Sequence, residues 1–152
     1  MITRESIFAA LFALAAPLGP DGLPVAPFVT ASRKFQTWDQ VGPSMQPAIF
    51  MRQDRQIATQ EGHKGVTKWT YHCSLWVYCQ HSPDQGTIPA TLLNTLVDQV
   101  VSNLSPAPGM FQTLGGLVAS ARIDGELVID EGLMPNDTQS IARIPIVIIA
   151  VN

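Results

Sequence analysis

Chemistry in this chain of 152 residues would have to sit on three histidines, two cysteines or one dense acidic group. His63 lies in a polar stretch, while His72 and His81 have opposite parity on or just beyond one apolar run. No Cys-x-x-Cys or His-Glu-x-x-His spacing accompanies them, so hydrogen-bonded or solvated histidines are expected and no metal. Asp124, Glu126, Asp130 and Glu131 bring carboxylates close together, which suits acid–base work or a hard cation. They lack the glycine-punctuated aspartates of a calcium loop, which favours a solvated strand end or a subunit contact. There is no Gly-x-Ser-x-Gly turn, and Gly115-Gly116 is a bare pair outside any phosphate-loop context. Trp38, Trp69 and Trp76 would make a ligand platform, but core packing for Trp69 and interface packing for Trp76 are the plainer readings. The expectation is a protein with no catalytic residue and no cofactor.

The element that must position these groups is the run from Lys68 to His81. Trp69, Tyr71, Cys73, Leu75, Val77 and Cys79 alternate with mostly polar residues, and the period of two with aromatic and β-branched content predicts a strand. At ~3.3 Å per residue the run reaches roughly 40 Å, about twice the usual strand, so it should be the spine of a sheet. One face should pack on helices. Trp76 and Tyr78 on the wetter face need a second cover, from a local element or a neighbouring subunit. Cys73 and Cys79, six residues apart on one strand, sit roughly 20 Å from each other and cannot bridge. Buried thiols in a reducing compartment are expected.

Around the spine, residues 1–16 read as a helix capped by Thr3, with Glu5 in its first turn, rather than as a signal peptide. Ile7, Leu11 and Leu14 share a face, flanked by Phe8 and Phe12. Prolines and glycines impose an irregular loop from Pro17 to Pro27. Strands are predicted over Phe28–Phe35 and Ala48–Gln53. Residues 54–65 read as a protruding hairpin tip, mobile in the free subunit and ordered on assembly, because they have little apolar area to bury. A helix capped by Thr87 follows, with Pro89 early in it and Leu93, Leu96, Val97, Val100 and Leu104 on its buried face. Residues 117–130 read as two short strands, or one bulged strand, about Asp124-Gly125. Ser140–Val151 closes the chain as a strand apolar on both faces, limited by Pro145. The whole of 1–152 is read as one α+β domain: a mixed or mainly antiparallel sheet with a long central hairpin, packed by an N-terminal and a middle helix.

Composition narrows function. Charged residues make up 14% of the chain, against a typical ~25%, which fits a surface partly covered by partners. The net charge of −3 argues against a nucleic-acid-binding face. Residues 1–81 carry seven Lys or Arg against five Asp or Glu, whereas residues 82–152 carry two against seven. Such polarity suits a head-to-tail contact between identical subunits. No apolar run is long enough to span a membrane.

Four ordered segments give a sharper reading. They are Trp38-Asp-Gln-Val41 running to Gln46-Pro-Ala-Ile-Phe50; Lys68-Trp69 leading to Trp76-Val-Tyr78; Gln112-Thr-Leu-Gly-Gly-Leu117 with Ile123-Asp-Gly-Glu126 and Asp130-Glu-Gly132; and Ala142-Arg-Ile-Pro-Ile-Val147. In order and spacing, from about residue 33 onward, the chain resembles the tail terminator (tail completion, head-tail joining) proteins of long-tailed bacteriophages. The resemblance implies a virion protein, assembled in the host cytoplasm, that forms a homo-oligomeric ring, usually a hexamer. Such a ring caps the tail tube protein and offers its other face to the head completion or connector protein, with DNA only as cargo through the lumen. Interface candidates for such a ring are Arg52, Arg55, Lys64, Trp76, Tyr78, Glu126, Asp130, Glu131 and Arg143. Two alternatives stand beside it: a head-tail connector or neck protein, and a small-ligand-binding α+β domain using the acidic group and Trp76.

Overall fold

Thr3 starts the first helix as its sequence demands. Its hydroxyl accepts the Ser6 N–H at 3.0 Å while the Ser6 hydroxyl accepts the Thr3 N–H at 3.1 Å, a reciprocal cap at the N-terminus of α1 (Arg4–Ala15). The computed structural model describes residues 2–60, 65–132 and 138–151. The chain continues through β1 (Thr30–Ser32), β2 (Ala48–Gln60), β3 (Thr67–Gln80), α2 (Pro89–Leu104), β4 (Ser120–Ile123), β5 (Val128–Asp130) and β6 (Gln139–Val151). Among the described residues the fold is α+β: two α-helices on a mixed, mostly antiparallel sheet of six strands. Among the described residues no helix is long and apolar enough to cross a membrane.

The spine strand is β3, flanked along its length by β2 and by β6. Its odd residues Tyr71, Cys73, Leu75, Val77 and Cys79 are buried with Ala142, Ile144, Ile146, Ile148 and Ala150 of β6 under both helices. From α1 come Ile7, Phe8, Leu11, Phe12 and Ala15, and from α2 all five residues expected to face inward. Phe8 meets Tyr71 edge-on at 5.7 Å. Such burial, at ~25 cal/mol per Å² of apolar surface, is the main source of cohesion.

Among the described residues the opposite face of the sheet is covered at one end. There Val41, Ala48, Phe50 and Tyr78 form a second buried cluster, joined by Phe35, Met45, Trp76 and Ile141. The cover is local: the segment after β1, with 3-10 turns at Trp38–Gln40 and Pro43–Met45, lies over the sheet.

Several expectations are corrected. The strand expected over Phe28–Phe35 is only Thr30–Ser32, parallel to the start of β2. Thr87 does not cap α2. Its N–H donates to Asp84 O in the preceding turn, and Ile88 takes the cap position with no side-chain bond. The stretch read as a tip from residue 54 is strand as far as Gln60, every residue of it exposed. Backbone ladder bonds to β3, itself held by β6, order this segment without apolar burial. It therefore does not protrude free of the sheet, because β6 accompanies β3 as far as Lys68. Residues 61–64 of the expected tip, Lys64 included, lie outside the described residues.

Pro145 sits inside β6 rather than ending it. Its carbonyl accepts the Asp124 N–H at 3.2 Å. The carbonyl and nitrogen of one strand residue point the same way, so its missing N–H also faces that side. There the neighbouring strand breaks: β4 pairs with Ile146–Ile149 and β5 with Ile141–Arg143, leaving the gap opposite Pro145. On its other side Pro145 faces Ser74 with the β3 ladder unbroken.

Candidate functional site

A bulge in β2 helps to build a polar concavity on the sheet. The register against β3 slips between Gln53 and Arg55, leaving Asp54 extra. Regular alternation would send Arg52 and Arg55 to opposite faces; the inserted residue brings Arg55 back to the side of Arg52, opposite His72. Beside them on β6, Arg143 lies opposite Trp76. Arg52, Asp54, Arg55, Trp76 and Arg143 thus line one cavity of about 480 Å³. Asp54 sits between two guanidinium groups, 3.6 Å from Arg52 Nε and 3.6 Å from Arg143 Nη2. Two aromatic rings hold the same cations: Arg143 lies 5.9 Å from the centre of Trp76, which lines the cavity, and Arg52 5.8 Å from that of Phe35 behind it.

Asp124 lines the cavity as well, so three guanidinium groups face two carboxylates and the cavity keeps a small excess of positive charge. It contains no activated nucleophile. The thiol of Cys73 is turned to the helix-covered face of the sheet and is pushed up to about 12, first by burial and then by the Asp54 charge, so it stays protonated. Among the described residues no group of three or more His, Cys, Asp or Glu side chains is placed to hold a metal ion.

The residues singled out by sequence divide three ways. Arg52, Arg55, Trp76 and Arg143 converge on the cavity. Trp76 is half-buried, its indole N–H donates to Ser74 Oγ at 3.1 Å, and Phe35 packs edge-on against it at 5.4 Å. Tyr78 is corrected: it is not a surface residue but is 1% exposed, with its hydroxyl donating to Gln36 O at 2.8 Å. The cover that an aromatic on the wetter face requires comes for Tyr78 from the same chain.

Glu126, Asp130 and Glu131 gather at the far edge of the sheet, on and beside β5. Asp130 Oδ1 accepts the Gly132 N–H at 2.8 Å, a local turn, while Glu126 and Glu131 are exposed. Asp124 at the same edge is held by Arg122 through Nη2 at 2.7 Å.

Sequence reasoning missed Asp54 and Phe35. Neither carries a motif, and only the bulge and the folded-over connector bring them to the arginines. It also passed over Phe111, which stands 77% exposed beside an apolar groove of about 340 Å³ between the end of α2 and β4. An aromatic next to Pro106-Ala-Pro-Gly109 was the available signal.

No known family model matches the chain, and no curated protein matches it in sequence.

Proposed function

We propose that this protein is a structural virion subunit, a tail terminator that assembles with copies of itself into a ring, caps the phage tail tube and joins it to the head connector. The observation that supports this reading is the sorting of charge by sheet edge. Arg52 and Arg55 lie on β2 at one side of the sheet, and Asp124, Glu126, Asp130 and Glu131 lie along β4 and β5 at the other. Two unlike, mutually attractive surfaces on one subunit favour heterologous, head-to-tail contacts, which form a ring when the rotation between copies closes. The ordered segments described above supply the tail-terminator role, with a hexamer as the expected ring. In this reading the protein performs no catalysis and needs no cofactor. DNA passes the mildly acidic chain without being held, since few counterions are released on contact.

Electron microscopy of the purified protein, alone and mixed with isolated tail tubes, tests the proposal. Rings seated on tube ends are the expected result. Rings that ignore tubes but bind head connectors would make it a neck protein, and particles that remain single subunits in both samples would overturn it. A second reading, a small-anion binder, has the arginine-lined cavity in its favour. Asp54 already engages two of those cations, which leaves an incoming anion less to gain.

A further inference from the structure

β1 covers β2 only at Ala48, Ile49 and Phe50, so from Met51 to Gln60 the outer side of β2 has no neighbouring strand among the described residues. A long open edge invites another chain. We infer that this edge is the subunit junction: it lies along the β4–β5 edge of a second copy, with Arg55 against Glu126. The inference rests on the ring reading and says where its contact falls.

Three observations select a second copy as the occupant. The first is height. Arg52 is level with Ser74, Ser74 with Pro145, and Pro145 bonds Asp124, so Arg52 and Asp124 share one row at opposite ends of the sheet; Arg55 is level with His72, Val147 and Arg122, about three rows from Glu126. A copy set beside the first by rotation about an axis along the strands, with an axial shift of roughly 10 Å, brings Glu126 to Arg55. The second is direction. β2 runs parallel to β6, whereas β4 and β5 run against it, so the edges of neighbouring copies meet antiparallel, the favourable pairing sense. The third is unused charge. Neither Arg55 nor Glu126 makes an ion pair within the described subunit, and both are exposed.

The junction is chiefly a charge contact. One outward donor of β4, the Ala121 N–H, is already bonded to Gln112 O at 2.7 Å, so the acidic edge is not a free ladder.

Charge reversal with exchange tests this. In native mass spectrometry over a concentration series, Arg55→Glu and Glu126→Arg should each weaken assembly by about tenfold, as expected when an exposed attraction becomes a repulsion. An equimolar mixture of the two variants should regain assembly, because each copy then presents the charge its neighbour lacks. Both side chains are exposed, and circular dichroism with thermal unfolding checks that the variants fold. Should either misfold, the neutral Arg55→Gln and Glu126→Gln proteins should assemble with a shallower salt dependence than the parent. A parent that forms rings while all variants assemble unchanged would overturn the junction and leave the ring standing. A parent that stays monomeric even with tail tubes present would remove both.

Discussion

Gly125 lies against the ring of Pro145. A methyl group built on it would come within 3.2 Å of Pro145 Cγ, and its φ of +125° is one that other residues rarely adopt. The proline without a donor and the glycine without a side chain together make the break between β4 and β5. Gly125→Ala should therefore destabilise the fold by about 1–3 kcal/mol, through backbone strain and the clash together. The shift of the urea midpoint at unchanged slope measures it. An unaltered midpoint would show that the gap between the strands yields freely.

The Tyr78 hydroxyl ties the connector to the sheet through Gln36 O. Tyr78→Phe keeps the packing against Phe50 but removes that donor. The expected loss is about 1 kcal/mol, the usual net worth of such a bond. Amide exchange should quicken in residues 35–47 more than in α2. Uniform quickening would place the effect elsewhere.

Cys73 and Cys79 are unpaired and buried, and burial raises both thiols, Cys73 to about 12. At pH 8 alkylation of Cys73 in the native protein should be slower than in urea by at least roughly a hundredfold, since little thiolate forms. The sign for stability follows. These thiols stay neutral when folded while those of the unfolded chain ionise near their ordinary value. Their contribution is thus intact below that value and is lost at higher pH, for Cys73 as pH rises toward 12. Mass spectrometry of timed quenches gives the rates; rapid native labelling of Cys73 would contradict its burial.

Arg33 grips Glu5 with two bonds, at 2.5 and 3.0 Å, and holds its carboxyl below the usual carboxylate range, first by hydrogen bonding and then by charge. This pair's small contribution is present above the ordinary glutamate value and fades as pH falls through the lowered one. In a carbon-13 NMR titration the Glu5 midpoint should return upward in Arg33→Met. No movement would mean that the pair is not held in solution.

Much of the fold was legible because it is written locally. Thr3 with Ser6 caps α1, the leucines and valines of α2 recur at helical spacing, and the alternation from Trp69 to Cys79 marks the spine and its buried face. The split at Asp124-Gly125 was also readable from its turn residues. Periodicity reports which side chains avoid water; it says nothing of which backbone a strand bonds. So the exposed half of β2 looked like a loop, although its ladder to β3 is complete but for one bulge. The charges of Arg52, Arg55 and Arg143 were visible in sequence, but their meeting around Asp54 was not. It depends on a one-residue slip in β2 and on the register of β6 across β3. The cover over Trp76 and Tyr78 was foreseen as a need. Only the tertiary structure decided that Phe35 and the connector supply it, because that choice rests on contacts between residues some forty positions apart.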